Sequence, residues 1–324
     1  HVDPKTGRPV ELDEANHKLS PVLTTPGPLG GHNWHPMSYS PKTGLVYIPA
    51  QETLFIFSTD TSFKYNPRTW NTAQQIEMTY LPKDPEELAM VDSATVGYLV
   101  AWDPKIQKEV WRAQYQRPWS GGVLSTDGNL VFQGTSDGRF ISYAADSGDL
   151  LWSMDTGQGI VAPPITYKIN GEQFVAIQVG YGGAYALLGA FEPANENPGR
   201  NGRMMVFKLG GKQLEKPIKT IAQLNPTITE LNPDSFTIAR GEYEYHEHCQ
   251  FCHGIGAIGG GVIADLRMLD SEGNTAFLGS VLGGVHGSGM ASFQDVLTID
   301  QATQIHEYVK SQAVLTGVSR ATEQ

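Results

Sequence analysis

Cysteine occurs twice in this chain, and both copies fall in one pentapeptide, Cys249-Gln250-Phe251-Cys252-His253. No other stretch restricts the fold as tightly. Two thiols two residues apart, followed at once by an imidazole, form the covalent c-type haem attachment pattern. One helical turn presents two sulfurs to the two vinyl groups of a porphyrin, and the adjacent ring offers a nitrogen to the iron. Two plainer readings compete. A zinc site needs two further Cys or His ligands at suitable spacing. A thioredoxin-like redox pair follows a strand in a βαβ unit, whereas a polar, helix-like run leads into Cys249.

A haem iron takes a ligand on its other face as well. Downstream lies Gly287-Ser288-Gly289-Met290-Ala291-Ser292-Phe293, where glycines let backbone come close to a flat group. A thioether is a soft ligand, and a Met/His pair raises the iron's potential for electron transfer. A methionine otherwise fills gaps in a core. Met290 follows His253 by 37 residues on a glycine-rich loop ahead of a predicted helix. It is the candidate axial ligand, with His286 and His306 as weaker rivals. Metal ligation is therefore expected at His253 and Met290.

The chain has 324 residues, more than one compact domain usually needs, so two domains are expected. Its 36 glycines and 20 prolines favour turns and short strands over long helices for most of the length. A formal charge of −11 makes nucleic acid a poor partner. No run of 18 apolar residues appears, so no membrane span is expected. The chain opens at His1 inside what reads as a repeat, which leads us to expect a truncated or processed polypeptide.

Residues 1 to about 209 read as β-structure. Short apolar runs recur at Leu45-Val46-Tyr47-Ile48, Tyr98-Leu99-Val100-Ala101-Trp102, Leu130-Val131-Phe132-Gln133, Phe140-Ile141-Ser142-Tyr143 and Phe174-Val175-Ala176-Ile177-Gln178. Between them fall Asp127-Gly128-Asn129, Asp137-Gly138, Ser147-Gly148-Asp149 and Asn170-Gly171, which supply the positive φ of tight hairpins. A sandwich, a barrel or a propeller would fit. An internal repeat decides among them. Asp103 to Trp111 and Ala144 to Trp152 are two versions of one phrase, with their tryptophans 41 residues apart. That spacing suits one four-stranded propeller blade. A related turn, Asp3-Pro4-Lys5-Thr6-Gly7, recurs as Pro41-Lys42-Thr43-Gly44. Each is expected to lead into a strand, with an aromatic ring docking blade on blade.

These phrases resemble a known family. The spacing Ala101, Asp103, Trp111 resembles the tryptophan-docking motif of quinoprotein alcohol dehydrogenases. Gly30-Gly31-His32-Asn33-Trp34-His35-Pro36 is similar to a quinone-contacting segment of that family. Trp119-Ser120-Gly121-Gly122-Val123-Leu124-Ser125-Thr126, with Gly134-Thr135-Ser136-Asp137-Gly138, resembles the late-blade segment that brings a tryptophan beside the quinone. Val179-Gly180-Tyr181-Gly182-Gly183-Ala184 matches the closing region. A propeller followed by a cytochrome c domain is the layout of the quinohaemoprotein branch, and the likeness runs from the first residue to about Leu315. It implies an eight-bladed propeller holding pyrroloquinoline quinone (PQQ), of which this chain would supply the C-terminal blades. At roughly 40 residues per blade, some 200 residues make about half of such a ring. The family's aspartate base, calcium ligands, adjacent-cysteine disulfide and Lys or Arg beside the quinone carbonyl are then expected upstream of residue 1, and no catalytic residue is assigned here.

The sequence departs from the family pattern in four places. Gln107 stands where glycine is usual, Ala144 where Asp is usual, and Ala184 where methanol-oxidising members carry tryptophan. Val262 to Arg267 lacks a proline common in c-type domains. Read from chemistry alone, Asn33 offers a donor and an acceptor to a carbonyl-rich cofactor, and Trp34 and Trp119 offer flat apolar faces. The plain alternatives are a turn cap for Asn33 and blade-packing core for the tryptophans. With the resemblance, Asn33, Trp34, Trp119 and Ala184 become candidate quinone contacts, Ala184 through backbone. His32 and His35 read as loop residues. Residues 60 to 95, around Trp70, read as a long surface or substrate-side excursion.

A linker is expected over 210–232 and a cytochrome c domain over 233–324. Asp234-Ser235 reads as a cap for a helix running into the haem motif. Further helices are expected over 271–281 and 298–312, the latter with Ile305, Tyr308 and Val309 on one face. Arg267 is either a partner for a haem propionate or a solvated side chain. The resemblance implies oxidation of a small alcohol or aldehyde at the quinone, then electron transfer to haem c and on to a copper protein, a cytochrome or the membrane quinone pool. A periplasmic address is expected, because thioether attachment of haem occurs outside the cytoplasm. Two rivals remain: a non-catalytic electron carrier with a β docking platform, and a thiol oxidoreductase using Cys249 and Cys252.

Overall fold

The structure, a computed structural model, describes residues 1–66, 69–183, 185, 187, 202–212, 234–259, 263–268 and 274–321. Every apolar run named above lies on a strand. A first sheet joins β2 (Ser38–Ser40), β3 (Leu45–Glu52), β5 (Val96–Asp103) and β6 (Lys108–Tyr115) in that spatial order. A second is the meander β7 (Val123–Thr126), β8 (Leu130–Gly134), β9 (Arg139–Ala144) and β10 (Leu150–Asp155). A third holds β11 (Ile165–Ile169), β12 (Glu172–Val179) and β13 (Arg203–Lys208). All pairings within them are antiparallel. These are sheets of a propeller type, each an up-and-down unit that buries its faces only against its neighbours.

Alternation sets the packing. Along β3 every second residue is buried, beginning at Leu45 and Tyr47, and β5 answers with Leu99 and Ala101. These side chains meet Val131, Ile141 and Tyr143 of the second sheet in one core. Phe140, Ile160, Ile177, Val179 and Met205 form the next core, between the second sheet and the third. The repeat has a physical meaning at this seam. The Trp111 indole N–H donates to the Ala145 carbonyl at 3.1 Å, and the Tyr47 hydroxyl donates to the same oxygen at 2.8 Å. Gly148 makes room for the indole: a Cβ there would lie 2.6 Å from the Trp111 ring, and its φ is +76°. Trp152, one repeat later, packs its ring on Phe207 of the third sheet at 5.4 Å. The two phrases around Asp3 and Pro41 form turns closed by Gly7 and Gly44, both with positive φ.

The excursion from the first sheet is more structured than a loop. β4 (Phe55–Phe57) pairs with β1 (Val22–Thr24), and α1 spans Pro85–Ser93. Asp84 caps α1 by accepting from the backbone N–H of Glu86 and Glu87, with Pro85 in the first turn. Apolar periodicity could not reveal α1, because none of its residues is buried.

The C-terminal part is helical. Its elements are α2 (Ser235–His248), α3 (Gln250–His253), α4 (Asn274–Gly283) and α5 (Ile299–Ala321). Asp234 caps α2 through Thr237 N–H at 2.8 Å, as its sequence predicts. Thr298 and Gln301 form a reciprocal capping box at the start of α5. α5 runs on to Ala321, past the Gln312 end expected from its sequence. α4 starts at Asn274, and residues 271–273 of its expected span lie outside the described residues. α2 and α5 cross closely at Gly241, where a Cβ would meet the Gln304 carbonyl oxygen at 2.0 Å. Tyr245, Phe277, Val281, Leu297, Ile305, Tyr308 and Val309 fill the core between these helices, which confirms the predicted face of α5.

Candidate functional site

The pentapeptide sits where α2 gives way to α3. The Cys249 N–H closes on the Tyr245 carbonyl at 2.7 Å, and the His253 N–H on the Cys249 carbonyl at 2.9 Å. One turn therefore carries both thiols and the imidazole, as the chemistry requires. The Tyr245 hydroxyl donates to the Gly254 carbonyl at 2.8 Å and fixes the exit of that turn. His253 Nδ1 lies 3.0 Å from the Ala264 carbonyl. A proton on Nδ1 donates there, which leaves the Nε2 lone pair for a metal. Both thiols are free, Cys249 partly buried and Cys252 exposed. Burial first, then the neighbouring Cys252 and Glu244, push the Cys249 thiol up to about 12. Such a thiol is a poor thiolate nucleophile at neutral pH.

Met290 packs on the same helical core as Cys249. Its backbone carbonyl accepts from Val285 N–H at 3.1 Å, which closes the glycine-rich loop into a short hairpin. Of its rivals, His286 is exposed. His306 stacks on Phe277 at 4.3 Å and bonds Asn274 at 3.2 Å, a packing role. Arg267 is not solvated. Only 4% exposed, it forks onto Asp265 through Nε at 2.9 Å and Nη2 at 2.6 Å. Among the described residues, no group of three or more His, Cys, Asp or Glu side chains converges as a metal site. Zinc has no ligand set there.

The second set of candidates gathers at a cleft by the ends of the first two sheets, lined by His32, Asn33, His35, Gln51, Trp119 and Ser120 among others. Trp119 is buried and held at φ +63°, a costly angle for a large side chain. Gln51, at the end of β3, holds it there. Its Oε1 accepts from the Trp119 N–H at 3.1 Å, and its Nε2 donates to the Gly30 carbonyl at 3.2 Å. His35 stands edge-on to Trp119 at 4.8 Å, and Trp34 stacks on His35 at 4.3 Å. Trp34 is 54% exposed, so it is not blade-packing core. Asn33 does serve as a turn cap: its Nδ2 donates to the Leu29 carbonyl at 2.8 Å, and its Oδ1 accepts from Trp34 N–H at 2.9 Å. Gly183 faces Trp119 and Trp34, and Ala184 lies outside the described residues.

Two buried polar atoms at this cleft, Trp119 Nε1 and His35 Nε2, have no partner among the described residues. Each is costly to bury unsatisfied, and each fits a ligand rich in carbonyl and carboxylate groups. Burial, and secondarily His32, hold the His35 imidazole down at about 4, so it is neutral at pH 7. Sequence reasoning missed His35, which passed as a loop residue, and Gln51. The signal for Gln51 was a polar residue at an inward position of the β3 alternation.

Comparison with known proteins identifies the family of the chain. The family model for the β-propeller domain of PQQ-dependent glucose, ethanol and alcohol dehydrogenases matches residues 93–175. A quinohaemoprotein alcohol dehydrogenase, ADH-IIG of Pseudomonas putida, is 38% identical over 318 residues, 96% of this chain and 44% of that protein. Its solved structure superposes with a TM-score of 0.86 over 96% of this chain and 46% of that one. By sequence and by fold, this chain is a relative of the quinohaemoprotein alcohol dehydrogenases. The quinohaemoprotein alcohol dehydrogenase structure from Comamonas testosteroni matches at 34% identity and a TM-score of 0.79, over 96% of this chain and 45% of that chain. A 1-butanol dehydrogenase (cytochrome c) of Thauera butanivorans is 38% identical over 94% of this chain and 44% of its own length. The chain thus spans about half the length of the curated relatives it matches.

Proposed function

We propose that this chain carries a haem c on its helical part and one wall of a PQQ site on its sheets, in an enzyme that oxidises a small alcohol or aldehyde. The propeller part would extend to residue 209 and the cytochrome c domain would begin at 233. Most of the intervening linker lies outside the described residues. The sheets would belong to an eight-bladed ring. Bound PQQ would take two electrons from the substrate, and haem c would pass them singly to an external acceptor. Cys249 and Cys252 would anchor the porphyrin through thioether bonds, and His253 and Met290 would be the ligands of its iron. Trp119 and Trp34 would offer aromatic faces to the quinone, the Trp119 indole N–H would donate to one of its oxygens, His35 would add a second polar contact through Nε2, and Asn33 shapes the loop that carries Trp34. Ala184, outside the described residues, would contribute through its backbone. Calcium enters the proposal for the whole enzyme with no ligand assigned in this chain. The acceptor would be a copper protein, a cytochrome or the membrane quinone pool, and the address periplasmic. No helix among the described residues is long and apolar enough to cross a membrane.

One observation carries this reading. The haem-type pentapeptide folds into a single helical turn whose histidine is tied through Nδ1 and open at Nε2. Mass spectrometry of the peptide holding Cys249 and Cys252 tests it. The expected mass is that of the peptide plus one haem, and two unmodified thiols would overturn the assignment. Extraction of PQQ from the same protein separates the enzyme from a bare electron carrier, which would hold haem and no quinone.

A further inference from the structure

The excursion over residues 53–95 leaves the first sheet from β3 and re-enters it at β5, and these central strands are hydrogen-bonded to each other along their length. It is thus anchored at both ends in one sheet. Its far side meets the helices that carry the haem motif. The Trp70 ring stacks on Phe251 at 4.6 Å and 29°, and Phe251 lies between the two motif cysteines. The Tyr80 ring lies on His246 at 4.1 Å and 35°. Lys83 Nζ pairs with Glu242 at 2.9 Å. Glu242 and His246 are i, i+4 neighbours on α2, so the excursion tracks one stripe of that helix toward Cys249. Tyr80 and His246 are enclosed at the middle of this contact, while Trp70, 64% exposed, and the Lys83–Glu242 pair lie at its edge. Between the described parts of the sheets and the helices, these contacts hold one to the other.

We propose that the excursion is a clamp fixing the haem-attachment helices to the β-sheets, with Trp70 and Tyr80 as positioning residues. The proposal rests on the haem reading above. A reduced quinone gives up two electrons and two protons. Each electron converts one ferric haem to ferrous, the protons leave to solvent, and the external acceptor reoxidises the iron between the two transfers. The clamp sets the geometry for that transfer and takes no part in oxidising the alcohol.

The test uses the full-length holoenzyme and its Trp70→Ala, Trp70→Phe and Tyr80→Leu variants. Hydrogen exchange is followed over residues 235–253 of the resting protein. Quinone reduction and haem reduction are followed separately after anaerobic mixing with alcohol. Exchange should rise in Trp70→Ala and Tyr80→Leu, and haem reduction should slow by at least about tenfold while quinone reduction keeps its rate. Trp70→Phe, which keeps a ring on Phe251, should restore both. Unchanged exchange overturns the clamp whatever the haem does. Wild-type haem kinetics in Trp70→Ala, or equal slowing of quinone and haem, overturns the positioning role. A wild-type haem that alcohol never reduces sinks the functional reading, and the exchange result still decides the clamp.

Discussion

His246 shows how burial and charge compete at one residue. It is 1% exposed, and burial holds its imidazole down at about 4. Glu242 works in the opposite sense, through its carbonyl and its charge, while Lys83 from the excursion adds to the lowering. Tyr80, Tyr245 and Tyr308 surround the ring. An unfolded histidine titrates near 6.5, so between about 6.5 and 4 the unfolded chain binds the proton more strongly. This stability is present in full above the unfolded value and is lost as pH falls through that window, by at most about 3 kcal/mol. Denaturant melts from pH 7.5 to 4.5 should show His246→Phe flattening the acid slope, and an unchanged slope would remove this account. Trp119 makes a second prediction. Its indole N–H lacks a partner among the described residues, so Trp119→Phe should leave the quinone-free protein within about 1 kcal/mol of wild type. Quinone titrations of the same variant should show weaker retention. Burial of Trp119 matched the core alternative for the tryptophans, whereas that of His246 was not legible in the sequence. His246 is polar in a polar run, and packing by residues distant in sequence, Tyr80 and Tyr308, helps enclose it.

At the scale of elements, the seam between the first two sheets is the part most plainly written in the chain. Period-two alternation placed β3 and β5, and the repeated tryptophan phrase placed the docking ring. Gly148 completes that seam, and Gly148→Ala should cost about 2 kcal/mol, since the new methyl meets the Trp111 ring and the backbone needs a positive φ. Thermal melts compared with Trp111→Phe, which loses one hydrogen bond to Ala145 worth about 1 kcal/mol, would check it. A Gly148→Ala protein as stable as wild type would mean the ring docks elsewhere. The departure at Gln107 resolves here too: it adopts φ +54° in the turn before β6 without being glycine. α1 was illegible for the opposite reason, since it buries nothing and so leaves no apolar stripe. The excursion's contact with α2 was illegible because stacking between distant rings has no local pattern.

At the scale of the molecule, the account joins two chemistries that the chain keeps apart in sequence. The cleft at Trp119 belongs to the sheets and the pentapeptide to the helices, and the clamp at Trp70, Tyr80 and Lys83 links them. The proposed haem chemistry was legible in the pentapeptide's spacing, because attachment of a porphyrin would dictate residue types at fixed offsets. The proposed quinone wall was not, since its residues come from separate turns, and only the likeness to a family drew them together. The most direct measurement follows haem absorbance after anaerobic mixing of the full-length, PQQ-loaded protein with a primary alcohol. The account predicts that the haem becomes reduced only when alcohol and quinone are both present. A haem that stays oxidised with both, or is reduced without either, would contradict it.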